Sequence, residues 1–176
     1  MADQTNPTNT ATDPWNTPLW PEGVAHNITD YHYPVFKLLD DSAARYPNQI
    51  FTIFNGAKKT FSQVKDTADR IAYFLAKKGI KKGDKVAIVL PNLTHFPEIF
   101  FGIMKAGAVA VTCNPIYTPT ELRQQLDNST AKMVFCMDHP TFYPNTVKAV
   151  KDTGVETVVV CNIKSYLPKF QGFLGA

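Results

Sequence analysis

The sequence predicts a doubly wound α/β fold, in which a parallel sheet is covered by helices on both faces. Four short runs of apolar residues end at Leu90, Cys113, Cys136 and Cys161, with spacings of 23, 23 and 25 residues. Helical patterns of apolar residues occupy the intervals between them. Short, fully apolar strands that alternate with helices are typical of parallel sheets, because each strand contacts helices on both sides.

Upstream of these runs, the pattern predicts a helix followed by a β-hairpin. Apolar residues recur at helical spacing over residues 35–43. Residues 50–54 are typical of a strand, and residues 59–61 of its shorter partner. The Asn55-Gly56 pair between them is typical of a two-residue hairpin turn, because both residues tolerate positive φ. We therefore expect an antiparallel hairpin before the main sheet.

Four further helices are predicted. Ser62 is the expected N-cap of the first, and Gly79 is expected to end it, because glycine readily adopts the left-handed conformation beyond a helix C-terminus. The other three are expected over residues 96–105, 121–128 and about 141–151.

The helix at 121–128 has the clearest N-terminal signal. Thr118 is suited to cap it, and Pro119 is suited to the first helical position. Glu121 lies three residues after Thr118, which is the spacing of a capping box. We therefore expect this helix to begin at Pro119.

A ligand site is expected at the carboxyl ends of the predicted strands, because open parallel sheets bind ligands in the crevice outside these ends. Pro91 and Asn92 follow the first main strand, and Asn114 and Pro115 follow the second, so these four are candidate cleft-edge residues. The other two strands lead into Asp138-His139 and Asn162.

Length and composition restrict the class of protein. A chain of 176 residues is long enough for one domain with a core, and 44% hydrophobic with 19% charged residues is typical of globular proteins. The formal net charge of +3 is too weak a bias to predict nucleic-acid binding, which depends on clustered cations. The lysines at 77–85 are typical of a helix C-terminus and a solvated turn.

Localisation is predicted to be cytoplasmic. The sequence has no apolar run long enough to span a membrane, and its first twenty residues contain neither Lys nor Arg. Cys113, Cys136 and Cys161 are an odd number of widely spaced cysteines. We therefore expect reduced thiols rather than a disulfide framework.

Residues 1–21 are predicted to form a mobile arm, and residues 22–176 the α/β domain. The arm is rich in Thr, Asn and Pro, so it lacks the apolar surface that would offset its ordering entropy. Trp15 and Trp20 are the only tryptophans in the protein. Because such large rings are usually buried, we expect them to dock on the domain or on a partner.

No catalytic or cofactor-binding residue is assigned from motifs. Neither GxSxG nor HExxH occurs, and the nine glycines form neither GxGxxG nor GxxxxGK[ST]. His95 and Glu98 have the spacing of an acid–base pair, but an acidic residue in the first turn also stabilises a helix, and we favour that interpretation. Cys136 and His139 suggest a metal site, which we disfavour because no close CxxC pair is present.

The tail contains apolar residues at helical spacing from Ile163 to Leu174. One interpretation is an amphipathic helix that makes a peripheral contact with a membrane. The other is an apolar segment whose packing partner lies beyond Ala176. Pro168 and Gly172 interrupt a continuous helix, so we favour the second.

Several motifs occur together along the chain. They are LPN at 90–92, GIMKAGAV at 102–109 and NPIYTPTEL at 114–122, accompanied by WPEGV at 20–24 and IKSYLPKF at 163–170. Over about residues 20 to 174, this combination resembles the adenylate-forming superfamily, and more narrowly the long-chain fatty-acid–CoA ligases. The resemblance rests on the combination, because no single motif is diagnostic.

The resemblance implies a two-step reaction. ATP and Mg²⁺ activate a fatty acid as an acyl-adenylate, and the acyl group then passes to CoA, because AMP is a better leaving group than a carboxylate oxygen. The family's phosphate loop, acidic ribose-binding motif, hinge and carboxyl-terminal lysine are absent from this sequence. The chain would then be the first α/β subdomain of a larger adenylate-forming domain, inactive alone, with the rest of the enzyme as its partner.

The resemblance also bears on assembly. In some long-chain members the amino-terminal arm takes part in dimer contacts, which makes Trp15 and Trp20 candidate contacts in a homodimer. Two other functions stay open: a stand-alone module that binds acyl chains or a partner, and a flavodoxin-like nucleotide binder that uses Asn92 and Asn114. The missing phosphate loop counts against the nucleotide binder.

Overall fold

The computed structural model describes residues 21–24 and 33–166, which belong to two units, Met1–Tyr33 and Pro34–Ala176. Within the first unit, the amide of Val24 donates to the carbonyl of Pro21 at 3.2 Å. The predicted mobile arm, with Trp15 and Trp20, lies outside the described residues apart from Pro21.

All regular elements of the described residues lie in the second unit. The helices are α1 Phe36–Arg45, α2 Phe61–Lys77, α3 His95–Lys105, α4 Pro119–Ser129 and α5 Phe142–Ala149. The strands are β1 Ile50–Phe54, β2 Ala57–Thr60, β3 Lys85–Val89, β4 Val109–Thr112, β5 Ala131–Met137 and β6 Thr157–Cys161. Strands β3 to β6 pair in parallel in the order β4-β3-β5-β6, and each ends within one residue of its predicted end.

The central strands have a core on each side of the sheet, because successive side chains of a strand point to opposite faces. In β3, Val86 and Ile88 pack in one cluster with residues of α2 and α3. Ala87 and Val89 pack in the other, with Leu122 and its neighbours on α4 and α5. This arrangement confirms the predicted α/β fold with helices on both faces of a parallel sheet.

The hairpin of β1 and β2 forms a separate two-stranded sheet. Asn55 and Gly56 have φ values of 46° and 83°, which a tight hairpin turn of this kind requires. The return strand begins at Ala57, two residues earlier than predicted. A third cluster, centred on Leu39 and Val64, joins α1 and α2 to Phe51 of the hairpin.

The prediction of Ser62 as the N-cap of α2 is wrong. Thr60 caps the helix: its hydroxyl accepts from the amide of Gln63 at 3.3 Å, and its own amide donates to Gln63 Oε1 at 2.9 Å. This capping box needs Glu or Gln three residues after the cap, and Ser62 has Lys65 at that position. Gly79 adopts φ +82° just beyond the helix, as predicted.

The capping box of α4 is confirmed. Thr118 accepts from the amide of Glu121 at 3.4 Å, and Glu121 accepts from the amide of Thr118 at 2.9 Å, with Pro119 at the first helical position. The predicted helices at 96–105 and 141–151 correspond to α3 and α5, with ends that differ by up to two residues.

Candidate functional site

The four candidate cleft-edge residues lie at the carboxyl edge of two adjacent strands. Pro91 and Asn92 follow β3, and Asn114 and Pro115 follow β4. The amide of Cys113 donates to the carbonyl of Ile88 at 2.9 Å, which continues the strand pairing up to this edge. Both asparagines are exposed and both prolines are half-buried. That these residues border a ligand cleft stays a prediction.

Asn114 has a local structural role. Its side-chain oxygen accepts from the amide of Ile116 at 3.2 Å, and its carbonyl accepts from the amide of Tyr117 at 3.2 Å. Such bonds turn the chain from a strand into the following helix. Asn92 instead borders an open groove.

This groove, of about 370 Å³, lies between β1 on one side and the β3–α3 connection with the first turn of α3 on the other. Its walls are Phe51, Thr52, Ile53 and Phe54 on one side and Asn92, Leu93, Thr94, Phe96 and Pro97 on the other. The lining is mixed, because Thr52, Asn92 and Thr94 are polar and the other six residues are apolar. The hydroxyl of Thr52 is buried and has no hydrogen-bond partner among the described residues.

A buried polar cluster lies where α3 begins, and we call it the Glu98 cluster: Lys59, His95, Glu98 and Tyr166. Glu98 is only 1% exposed. Lys59 Nζ lies 2.5 Å from Glu98 Oε1, and the Tyr166 hydroxyl donates to Glu98 Oε2. The Lys59 ammonium also lies 4.3 Å from the centre of the Tyr166 ring. The carboxylate is therefore neutralised by an ion pair and a hydrogen bond.

His95 lies against the same tyrosine, with ring centres 3.9 Å apart. It is 7% exposed, and its Nδ1 atom has no hydrogen-bond partner among the described residues. Burial, followed by the positive charge of Lys59, lowers the pKa of His95 to about 4, although a hydrogen bond with the backbone of Asn162 acts in the opposite direction. His95 is therefore neutral at pH 7.

The cluster is better suited to stability than to proton transfer. Burial and then the Glu98 carboxylate raise the pKa of Tyr166, so this phenol keeps its proton at pH 7. Glu98 is bound to Lys59 and Tyr166, and no hydrogen bond between Glu98 and His95 is found among the described residues. The geometry thus gives no support to an acid–base pair.

Sequence reasoning missed Lys59 and Tyr166 as partners of Glu98. They lie 39 residues before it and 68 residues after it, so no local spacing indicates the contact. The prediction that the tail from Ile163 onward packs against a partner beyond Ala176 is wrong for its described part. Ile163–Tyr166 forms a 3₁₀ turn, and Ile163 packs against the core of this domain. The remainder of the tail lies outside the described residues.

The three cysteines are free and buried. Cys113 and Cys136 pack in one core cluster and Cys161 packs in the other, on the opposite face of the sheet. Burial raises the pKa of Cys113 and Cys136 to about 11 and that of Cys161 to about 12. No group of three His, Cys, Asp or Glu side chains suited to a metal is found within 21–24 and 33–166.

The sequence contains neither of the phosphate-loop motifs GxGxxG and GxxxxGK[ST]. Its glycines are scattered rather than clustered as a phosphate cradle requires, and within 21–24 and 33–166 no three His, Cys, Asp or Glu side chains form a group suited to a metal ion. No step of an ATP-dependent reaction is therefore assigned to this chain. Among the described helices, none is long and apolar enough to cross a membrane.

Replacing Glu98 by glutamine is expected to lower the free energy of unfolding by about 2 kcal/mol, because the change leaves the Lys59 charge without its buried counter-ion. Urea unfolding measures the change. The control is Asp66→Asn, because Asp66 forms an exposed pair with Arg70 at 2.8 Å and should change stability by about 0.5 kcal/mol or less. Equal effects of the two substitutions would contradict a stabilising role for the cluster.

Comparison with known proteins agrees with this fold. A family model described as AMP-binding enzyme matches residues 39–171. The long-chain-fatty-acid–CoA ligase of Bacillus subtilis is 32% identical over 149 residues, which cover 85% of this chain and 26% of the relative. The corresponding ligase of Salmonella typhimurium is 33% identical over 144 residues, covering 81% of this chain and 25% of that protein. The chain thus spans about a quarter of the length of these relatives.

Solved structures of CoA ligases and synthetases have a similar fold. A fatty acyl CoA synthetase of Mycobacterium tuberculosis superposes with a TM-score of 0.65 at 27% identity, covering 72% of this chain and 26% of that chain. A benzoate CoA ligase of Burkholderia xenovorans has a TM-score of 0.69 at 21% identity, covering 82% of this chain and 28% of that chain, and it shows a common fold. With the family model matching most of its length, the chain belongs to the AMP-binding enzyme family.

Proposed function

We propose that this chain is the amino-terminal part of an ATP-dependent long-chain fatty-acid–CoA ligase. The observation that carries the proposal is the identity of 32–33% to long-chain-fatty-acid–CoA ligases over more than 80% of the chain. The whole enzyme would form an acyl-adenylate from a fatty acid, ATP and Mg²⁺, and would then transfer the acyl group to CoA. The chain contributes the parallel sheet and its carboxyl edge.

The isolated chain is proposed to be inactive and to bind neither ATP, Mg²⁺ nor CoA. Two observations support this part of the proposal: the missing phosphate-loop motifs, and the lack of a group of three possible metal ligands among the described residues. Activity therefore depends on the remainder of the parent enzyme, which is the chain's principal partner.

The experiment compares two purified proteins: the full translation product of the gene and the 176-residue chain. Palmitate-dependent exchange of pyrophosphate into ATP reports the adenylation step, and consumption of free CoA thiol reports the second step. We expect both activities in the full product and neither in the chain. A full product that catalyses neither would contradict the proposal, and palmitate binding by the inactive chain would then favour a stand-alone acyl-binding module.

A role for Trp15 and Trp20 in a homodimer is part of the same proposal. Its support is the concentration of both tryptophans in an otherwise polar arm. Sedimentation velocity of the full product tests it: the double replacement by alanine should shift a dimer toward monomer, and unchanged sedimentation would count against it.

A further inference from the structure

The end of α2 and the turn that leads into β3 carry four exposed lysines, and we call this segment the lysine turn. The four are Lys77, Lys78, Lys81 and Lys82. Within 21–24 and 33–166, none of them takes part in an ion pair. The carboxylate of Asp84, just after them, lies 2.8 Å from Lys132 Nζ and accepts from the amide of Lys81 at 2.8 Å. It is therefore already paired with another lysine.

The backbone of the lysine turn is fixed by contacts with the sheet. The amide of Gly83 donates to the carbonyl of Gly107 at 2.9 Å, and the carbonyl of Asp84 accepts from the amide of Val109 at 2.8 Å. Ile80, which lies between the two pairs of lysines, is 8% exposed and packs in the core. Because the turn is already ordered, little backbone entropy would be lost when its charges bind a partner.

The other charges at this end of the domain balance one another. The carboxyl ends of the helices meet the amino ends of the parallel strands at one edge of the sheet, which includes residues 127–132 and 148–156. Besides the four lysines, this edge has four basic and four acidic side chains: Lys85, Lys132, Lys148, Lys151, Asp84, Asp127, Asp152 and Glu156. Lys105, at the end of α3, is bound to Asp40 and Asp69. Positive charge is therefore concentrated in the lysine turn, whose four charges exceed the formal net charge of +3 of the whole chain.

The type of cation indicates the type of partner. The lysine turn contains no arginine. The planar guanidinium of arginine binds single phosphates through paired hydrogen bonds and is favoured in nucleic-acid sites, whereas the lysine ammonium is a point charge on a flexible stem. Helix N-termini, whose amides bind single phosphates, belong to the opposite edge of this sheet. The lysine turn is therefore suited to a surface that presents many anionic groups without fixed positions.

An exposed aromatic side chain lies beside these charges. Tyr73 is 72% exposed and precedes Lys77 by one turn of α2, so the two side chains lie on the same face of the helix. Tyrosine is enriched where a membrane meets water, because its ring is apolar and its hydroxyl is polar. A tyrosine next to a group of lysines is the combination expected of a surface that lies on lipid headgroups.

We infer that the lysine turn binds the surface of a membrane that contains anionic phospholipids, with Tyr73 at the level of the headgroups. Each lysine close to such a surface strengthens binding by about five-fold, so four lysines on one turn act together. The inference goes beyond the proposed function and does not depend on it, because the attraction requires only the exposed charges.

Co-sedimentation of the full translation product with lipid vesicles tests the inference. Vesicles of phosphatidylcholine are compared with vesicles of an equal mixture of phosphatidylcholine and phosphatidylglycerol, at about 0.1 M NaCl. We expect binding to the mixed vesicles to be tighter by about ten-fold or more. Replacing all four lysines of the turn by glutamine should weaken this binding by about thirty-fold or more. Replacing them by arginine keeps the charge and should change it by about three-fold or less.

The matched control removes the same number of charges elsewhere on the described surface. It replaces four other lysines by glutamine: Lys37, Lys58, Lys65 and Lys164. Because these lie away from the lysine turn, binding to the mixed vesicles should weaken by about three-fold or less. Equal weakening in the two glutamine variants, or equal binding of the unmodified protein to both kinds of vesicle, would overturn the inference.

Two measurements on the unmodified protein require no substitution. Raising NaCl from about 0.1 M to about 0.5 M should weaken binding to the mixed vesicles by about ten-fold or more, because salt screens exposed charges. Binding that does not change with salt would overturn the inference. A DNA duplex offered to the same protein should bind more weakly than the mixed vesicles. Tighter binding to the duplex would assign the lysine turn to nucleic acid and overturn the inference as well.

Discussion

Replacing Gly102 by alanine is expected to lower the free energy of unfolding by about 3 kcal/mol, because α2 and α3 leave no room for a methyl group. A Cβ atom at this position would lie 2.5 Å from Ile71 Cγ2, 2.7 Å from Ile71 Cβ and 3.1 Å from the carbonyl oxygen of Ala68. Ile71 is β-branched and helical, so its rotamer has little freedom to move away. The helices would have to separate.

The matched control for this substitution is Gly154→Ala. A Cβ at Gly154 has no neighbour within 4 Å, so the change should alter stability by about 0.5 kcal/mol or less. Urea unfolding of both variants measures the difference. If Gly102→Ala were as stable as Gly154→Ala, the close approach of α2 to α3 would be contradicted.

Lowering the pH from 6.5 to 4 is expected to remove about 3 kcal/mol of stability through His95 alone. The pKa of His95 is lowered to about 4 in the folded protein, against 6.5 for an ordinary histidine. Between these values the unfolded chain binds more protons, so this contribution is complete above pH 6.5 and is lost as the pH falls. Urea unfolding at half-unit pH steps measures the slope.

The substitution His95→Phe keeps a ring against Tyr166 and removes the titrating nitrogen. The variant should therefore lose the slope between pH 6.5 and 5, where about 2 kcal/mol of the effect falls. The control is His139→Asn, because His139 lies at the same edge of the sheet but stacks on Phe142 outside the Glu98 cluster. An unchanged slope in His95→Phe would contradict the assignment to His95.

The parallel sheet could be predicted because its signal is local. Each main strand is a short apolar run, and burial on both faces demands that composition. The hairpin turn and the capping box of α4 were predictable for the same reason. The turn depends on two adjacent residues, Asn55 and Gly56, and the capping box on two residues three positions apart, Thr118 and Glu121. Such patterns need no knowledge of distant contacts.

Features that depend on distant contacts were missed. The N-cap of α2 is a different case, because its signal is local: Thr60 and Ser62 are both acceptable caps, and Gln63, three residues after Thr60, distinguishes them. The Glu98 cluster joins the hairpin, the start of α3 and the turn after β6, which are far apart in sequence. Cys136 and Cys161 lie near the ends of neighbouring strands, but their side chains point to opposite faces of the sheet, because side chains alternate between the faces along each strand.

The most direct test of the central claim is to read the coding sequence beyond the codon for Ala176. We predict an open reading frame that continues through a Ser/Thr/Gly-rich loop ending in Lys-Gly and reaches about three times the present length, as in the ligase relatives. A stop codon directly after Ala176 would contradict it. The chain would then lack the machinery of a ligase, and a binding role would replace the catalytic one.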